Sequence, residues 1–156
     1  MKRIIADKII DYKIESLVEF INSLKGVETL GSCQGHDKGG QTGEWVYPYI
    51  KFKCLDNRSL GLLASIEYIY SDLRKLYGDV SEEELFKIYQ PKLKGIWTIE
   101  VLPNIDYHLP GNDGEYAVFV LKAHMDSFEK PSEVYPDFDK ILDWYKRQLN
   151  SSLNGN

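Results

Sequence analysis

Two pairs of short β-prone runs, set between helix-periodic stretches, constrain the fold of this chain more than any other feature. The first pair is "VETLGSC" and "YPYIKFKC", and the second is "GIWTIEVLP" and "EYAVFVLKAH". All four are rich in the β-branched and aromatic residues that strands prefer. Because successive strands usually lie side by side, each pair is expected to be adjacent in one sheet.

The stretches between and around these pairs carry apolar residues at helical spacing. The helical predictions, each with its start signal, are Ile14 to Leu24 after Asp11, Leu62 to Tyr77 after Asp56 and Asn57, Ser81 to Gln90 with a capping box at Ser81 and Glu84, and Phe138 to Leu149 after Asp137. The order is therefore α-β-β-α-α-β-β-α. It predicts an α+β fold with helices packed on a largely antiparallel or mixed sheet.

Composition limits the class of protein. A chain of 156 residues with 43% hydrophobic residues predicts a single domain, 1–156. The formal charge of −5 makes nucleic acid an unlikely partner, since binding a phosphate backbone favours clustered lysine and arginine. No apolar stretch approaches ~20 residues, so we expect no membrane span and a cytoplasmic location. Two cysteines, Cys33 and Cys54, predict reduced thiols rather than a disulfide scaffold.

The stretch "TLGSCQGHDKGG", which spans the end of the first β-prone run and the loop after it, carries the only Cys-x-x-His pair in the sequence. About a dozen polar and glycine residues between two strands make a loop longer than most, and such loops are often functional. Cys33, His36 and Asp37 are the catalytic candidates here. Histidine can serve as acid, base or donor near neutral pH, and a cysteine with a neighbouring base can act as a nucleophile. The alternative for Cys33 is a small buried residue at a strand end.

Ligand-binding candidates surround this loop. Main-chain donors at Ser32 and Gly35 suit a carboxylate, a phosphate or ribose hydroxyls, while the rings of Trp45 and Tyr47 suit stacking on a base. His124 follows the last β-prone run and is either a ligand contact or a structural histidine. The alternative for the whole loop is a mobile turn that uses glycine to change direction.

No metal site is predicted. Cys33 and His36 offer thiolate and imidazole, which are common zinc donors, but two ligands do not make a site. The other possible donors are His108, His124, Asp37 and Asp126, and a site would need long-range convergence of these residues. Whether Cys33 and His36 bind a metal therefore stays open.

The segment from Ile14 to Tyr77 resembles the N-terminal part of the tRNA wybutosine-synthesis methyltransferase family, the third protein of that pathway. There a helix leads into a strand that ends in a Ser-Ser-Cys-Ser-Gly-Arg motif. Ser32, Cys33 and Gly35 match that motif, and His36 stands in place of the arginine. The resemblance implies an α/β fold, a pocket at this loop, and S-adenosylmethionine as the cofactor for methyl transfer to a modified guanosine.

Two functional hypotheses follow. The first is a protein that binds a small molecule, of nucleotide or adenosyl type, in a pocket at the Ser32 to Tyr47 loop, with methyltransferase-like activity if the resemblance holds. The second is a non-enzymatic interaction or regulatory protein whose aromatic surfaces form an interface. Whether the chain is an enzyme, and whether it forms a homo-oligomer, stays open. A pocket that unites loop residues with a distant histidine or tryptophan favours the first hypothesis.

Overall fold

A four-stranded antiparallel sheet organises the structure. The computed structural model describes residues 3–5, 8–37, 47–70, 92–102 and 117–154. The sheet strands are β3 (Val27–Cys33), β4 (Tyr49–Cys54), β5 (Trp97–Leu102) and β6 (Ala117–Ala123), in the spatial order β3-β4-β6-β5. Each predicted pair of runs is thus adjacent and antiparallel, and the predicted α+β class is confirmed.

A short two-stranded sheet precedes it, which the sequence analysis did not predict. Strands β1 (Arg3–Ile5) and β2 (Lys8–Ile10) pair in antiparallel fashion, with Arg3 opposite Ile10. A 3₁₀ turn, Tyr12–Ile14, then leads into helix α1 (Glu15–Ser23). Asp11 lies between β2 and this turn, where its side chain can reach the main sheet.

Helices pack on one face of the main sheet and form the core with it. Alternation along β4 shows this division, because Ile50, Phe52 and Cys54 are buried while Tyr49, Lys51 and Lys53 are partly exposed. The helical side chains that complete the core include Leu17, Ile21, Leu63, Ile66, Ile141 and Tyr145. The opposite face of β4 is therefore left to aromatic and charged residues.

Two helices differ from their predicted extents. Helix α2 (Asn57–Ala64) is capped by Asp56, which accepts a hydrogen bond from the Ser59 amide at 3.0 Å, but a 3₁₀ stretch, Ser65–Tyr70, follows it. The rest of the predicted stripe and the predicted helix at 81–90 lie outside the described residues. The last helix, α3 (Tyr135–Asn154), begins two residues before Asp137.

Asp137 is consequently not a helix cap but a buried acceptor. Its carboxylate oxygens accept the amides of Lys94 and Gly95, both at 2.9 Å, and Nε1 of Trp97 at 2.8 Å. These bonds tie the segment that enters β5 to the first turn of α3. They hold the end of the sheet from which β5 starts.

A bulge in β3 sets the direction of its last residues. Thr29 pairs with Phe52, but Gly31 pairs with Lys51, so one extra residue is inserted between them. A one-residue shift moves all later side chains to the other face of a sheet. As a result Ser32 lies opposite Ile50 and Cys33 lies opposite Tyr49.

Candidate functional site

Four chain segments meet at one end of the main sheet. Strand β3 ends there at Cys33 and β4 begins there at Tyr49, while β6 ends at Ala123 opposite Trp97, the first residue of β5. Because neighbouring strands are antiparallel, β3 and β6 end at the same end of the sheet at which β4 and β5 begin. The loop after Cys33 and the turn after Ala123 therefore extend from the same end of the sheet.

A cluster of three potential metal ligands lies where β3 ends, at this end of the sheet. Asp11, Cys33 and His36 each present one donor atom, and these atoms all lie within 4.8 Å of one another. Nε2 of His36 is 3.2 Å from Oδ2 of Asp11. The same carboxylate oxygen accepts the amide of Gln34 at 3.2 Å. Asp11 precedes a 3₁₀ turn but makes no side-chain capping bond to it, because its carboxylate is directed to the loop instead.

The loop that holds Cys33 and His36 is fixed by its own backbone groups. The Gly35 amide donates to Sγ of Cys33 at 3.4 Å, and the Gly35 carbonyl accepts the hydroxyl of Tyr135 at 2.6 Å. Burial raises the pKa of the Tyr135 phenol, which keeps it protonated as the donor. The side chain of Gln34 in turn accepts the Lys13 amide at 2.9 Å.

Gly35 cannot carry a side chain in this arrangement. Its φ is +90°, and a Cβ atom would lie 2.9 Å from ring atoms of both Pro48 and Pro131. The residue is thus packed between two proline rings, which leaves little space for a ligand against its backbone. Its amide contacts the cysteine sulfur, whereas the sequence analysis expected it to face a ligand.

Asp37 anchors the loop to the segment before α3. Its two carboxylate oxygens accept the amide of Ser132 at 2.9 Å and the hydroxyl of Ser132 at 2.7 Å. These two hydrogen bonds hold the pKa of the Asp37 carboxyl below its ordinary value. Asp37 therefore remains a carboxylate and acts as a loop anchor in this structure.

A pocket of about 370 Å³ opens where β6 ends, at the same end of the sheet. Its lining residues are Tyr47, Lys122, Ala123, His124, Met125 and Asp126. Ligand pockets in proteins have volumes of about 300 to 1,000 Å³, so this one can hold a small ligand. It combines an aromatic ring, an ammonium group, an imidazole and a carboxylate.

Polar and aromatic contacts connect the pocket wall to the neighbouring strands. Nζ of Lys122 lies 2.9 Å from Oε2 of Glu100 and 5.8 Å from the centre of the Tyr47 ring. Nε2 of His124 and Oγ1 of Thr98 are in hydrogen-bond contact at 3.0 Å. Lys122 lies on β6, and His124 follows the last residue of that strand in an extended conformation, so the two side chains, two residues apart, lie on one face of the sheet.

The structure divides the predicted site residues between these two places. Cys33 and His36 come together, and Tyr47 and His124 line the pocket. Asp37 is bound to Ser132 instead, and Oγ of Ser32 is buried with no hydrogen-bond partner among the described residues. Trp45 lies outside the described residues. The functional roles given to all of these residues remain predictions.

Sequence reasoning did not place Asp11 in the cluster or Lys122 in the pocket. The position of Asp11 before a predicted helix indicated a local capping role, so its contacts with Gln34 and His36, more than twenty residues away, were not predicted. Lys122 could have been found, because "LKAH" at the end of an apolar strand places two polar side chains at i and i+2 on one face. That pattern identifies a polar end on an otherwise buried strand.

Comparison with known proteins adds no assignment. No protein-family model, no curated protein and no solved structure matches this chain. Among the helices that the structure describes, none combines the length and the apolar character needed to cross a bilayer. The function must therefore be argued from the two clusters themselves.

Proposed function

We propose that this protein binds a small adenosyl-type ligand in the pocket where β6 ends. The observation that carries the proposal is the combination of Tyr47, Lys122 and Asp126 in one cavity of about 370 Å³. An aromatic ring stacks on a base, an ammonium group binds a carboxylate or phosphate, and a carboxylate accepts from ribose hydroxyls or an ammonium group. One adenosyl ligand carries partners for all three side chains.

The charge around the pocket favours one ligand class over another. Lys122 is the cation of the lining, and it is already paired with Glu100, while Asp126 adds a second carboxylate. A di- or triphosphate would bring several negative charges to a site at which the described residues supply one ammonium group and two carboxylates. A zwitterionic amino-acid end, as in S-adenosylmethionine, offers a carboxylate to Lys122 and an ammonium group to Asp126. When bound, that molecule would supply an activated methyl group.

Binding to a panel of ligands tests the proposal on the full chain. Isothermal titration calorimetry is carried out with S-adenosylmethionine, S-adenosylhomocysteine, AMP and ATP. S-adenosylmethionine and S-adenosylhomocysteine, which carry an amino-acid end, are expected to bind most tightly. ATP binding more tightly than both would contradict the charge argument. No heat and no thermal shift with any of the four would remove the proposal and leave the interaction-protein alternative, which a concentration-dependent molecular mass would then support.

A matched pair of lysine variants locates the site. Lys122 and Lys53 both lie on strands, are 25% and 24% exposed, and are paired with a glutamate at 2.9 and 3.2 Å. Lys53 is at the far end of β4 from the pocket. Lys122→Ala should weaken adenosyl binding, and Lys53→Ala should leave the Kd unchanged. Equal effects of the two variants would place the ligand elsewhere.

The aromatic contact has a magnitude that can be measured. Stacking on one ring is worth about 1 to 3 kcal/mol per base, so Tyr47→Ala should raise the Kd by about 5-fold to about 150-fold. Tyr47→Phe keeps the ring and should retain most of the affinity. The exposed Tyr68 is the control residue, since it lies on the 3₁₀ stretch after α2. Tyr68→Ala should bind as the unsubstituted chain does.

A further inference from the structure

We propose that Asp11, Cys33 and His36 form a binding site for a divalent transition-metal ion of the zinc class. The three side chains come from two parts of the chain: Asp11 follows β2, whereas Cys33 ends β3 and His36 lies in the loop after it. Their donor atoms nevertheless lie within 4.8 Å of one another. The site shares no residue with the pocket, so the inference does not depend on the proposed function.

The distances match those of ligands around one tetrahedral ion. Nitrogen and oxygen ligands about 2.0 to 2.1 Å from zinc are about 3.3 Å apart, and a sulfur ligand at about 2.3 Å lies about 3.6 Å from either. Nε2 of His36 and Oδ2 of Asp11 are 3.2 Å apart. The three donor atoms lie within 4.8 Å of one another, so the Cys33 sulfur must move by about 1 Å at most to reach the separation of about 3.6 Å. A rotation of the Cys33 side chain can supply this movement.

The loop directs its amides at two of the ligand atoms. The Gly35 N–H points to Sγ of Cys33, and the Gln34 N–H points to Oδ2 of Asp11. Outer hydrogen bonds of this kind orient metal ligands and stabilise their charged forms. Both amides belong to residues between Cys33 and His36, so the segment that supplies two of the ligands also supplies the donors that support Cys33 and Asp11.

The donor set and its burial favour a metal over a nucleophile. Thiolate and imidazole together suit zinc, whereas magnesium and calcium prefer oxygen ligands. Cys33 is only 8% exposed, while a catalytic thiol must be reached by its substrate. Three protein ligands leave the fourth tetrahedral position for water or a further donor, which is the arrangement of catalytic zinc sites.

Titration of the full chain with Co²⁺ and Zn²⁺ alone tests this inference. Protein freed of metal with a chelator should bind one Co²⁺ per chain and develop thiolate-to-cobalt charge-transfer absorption, which Zn²⁺ then displaces. Cys33→Ser should abolish that absorption. Asp11→Asn and His36→Asn should each lower Zn²⁺ affinity by more than ~100-fold, because changes in outer partners alone cost about 10- to 100-fold.

The second cysteine provides the matched control. Cys54 is 7% exposed and ends the neighbouring strand β4, but its thiol bonds to the carbonyl of Asp56. Cys54→Ser should retain the cobalt absorption and the stoichiometry. Loss of the absorption in Cys54→Ser but not in Cys33→Ser would overturn the proposal, as would the absence of saturable Zn²⁺ binding.

Alkylation separates the metal site from a reactive thiol. Zn²⁺ should protect Cys33 of the unsubstituted chain from iodoacetamide, with the modified residue identified by mass spectrometry. Rapid alkylation of Cys33 that Zn²⁺ does not slow would contradict a metal-bound thiolate. This measurement and the Co²⁺ titration of the unsubstituted chain need no variant, so the proposal can still be refuted if Cys33→Ser fails to fold, which circular dichroism would show.

Discussion

Replacing Asp137 with asparagine should destabilise the fold by about 2 to 4 kcal/mol. The side chain is fully buried and accepts three hydrogen bonds, from the amides of Lys94 and Gly95 and from the indole of Trp97. Asparagine has the same shape but only one acceptor oxygen. Whichever way the amide is turned, at least one of the three donors faces an NH₂ group.

The magnitude follows from the bonds lost and weakened. A hydrogen bond to a charged group contributes about 1.5 to 3 kcal/mol, and the bonds that remain lose the charge-assisted part of their strength. Removing the buried charge recovers some desolvation free energy, which keeps the net cost below the simple sum. Asp137→Ala should cost more, about 4 kcal/mol or above, because all three donors lose their acceptor.

Urea unfolding, followed by circular dichroism, measures this cost. Asp143 is the matched control: it lies on the same helix, is about half exposed and pairs with Arg147 at 2.9 Å. Asp143→Asn should change the free energy of unfolding by no more than about 0.5 kcal/mol. If Asp137→Asn costs no more than Asp143→Asn, the carboxylate does not hold the start of β5 and the reasoning is wrong.

Two further predictions concern the loop after β3. Gly35→Ala should destabilise by about 1 to 3 kcal/mol, since the new Cβ meets two proline rings at a positive φ, whereas Gly31→Ala, where a Cβ meets nothing within 4 Å, should be close to neutral in the same urea assay. Asp37 has a folded-state pKa below its ordinary value of 3.8, so the stabilisation from its hydrogen bonds to Ser132 is fully present above that value and is lost as the pH falls through the lower, folded-state pKa. Thermal melting between about pH 5 and about pH 3 should show this loss, and Asp37→Asn should reduce it; an unchanged acid profile would contradict the assignment.

The elements of the sheet were predictable because their signals are local. The β-prone residues of β4 alternate between buried and exposed positions, and the runs of β3, β5 and β6 are bounded by polar or glycine residues. The N-terminal strands were not predicted, because three-residue runs next to lysine and aspartate carry too weak a pattern. The bulge between Thr29 and Gly31 could not be predicted either, since it depends on the partner strand.

The candidate site was predictable only in part, and aspartate shows why. Asp56 caps its helix as its position predicts. Asp11 and Asp137 occupy similar positions, but each uses its carboxylate on a distant segment. A capping bond is local, while these carboxylates accept from amides that the tertiary fold brings to them. The sequence shows that an aspartate can cap the helix that follows it, but it does not show which distant amides the fold will bring to its carboxylate.

The register of the main sheet explains why both candidate sites lie at the same end of the sheet. Cys33, Tyr49, Lys122 and Thr98 lie side by side in a single row across the four strands. Neighbouring strands are about 4.8 Å apart, so the backbones of Cys33 and Lys122 are separated by about 10 Å. This terminal row is where loops from both halves of the chain can add side chains, such as His36, to those of the strands. The metal-ligand cluster therefore lies where β3 ends and the pocket lies where β6 ends, two strands away. The β3–β4 connection supplies His36 to the cluster and Tyr47 to the pocket, while His124 and Asp126 come from the turn after β6. The two sites share no residue, so variants at one can be tested without removing residues of the other.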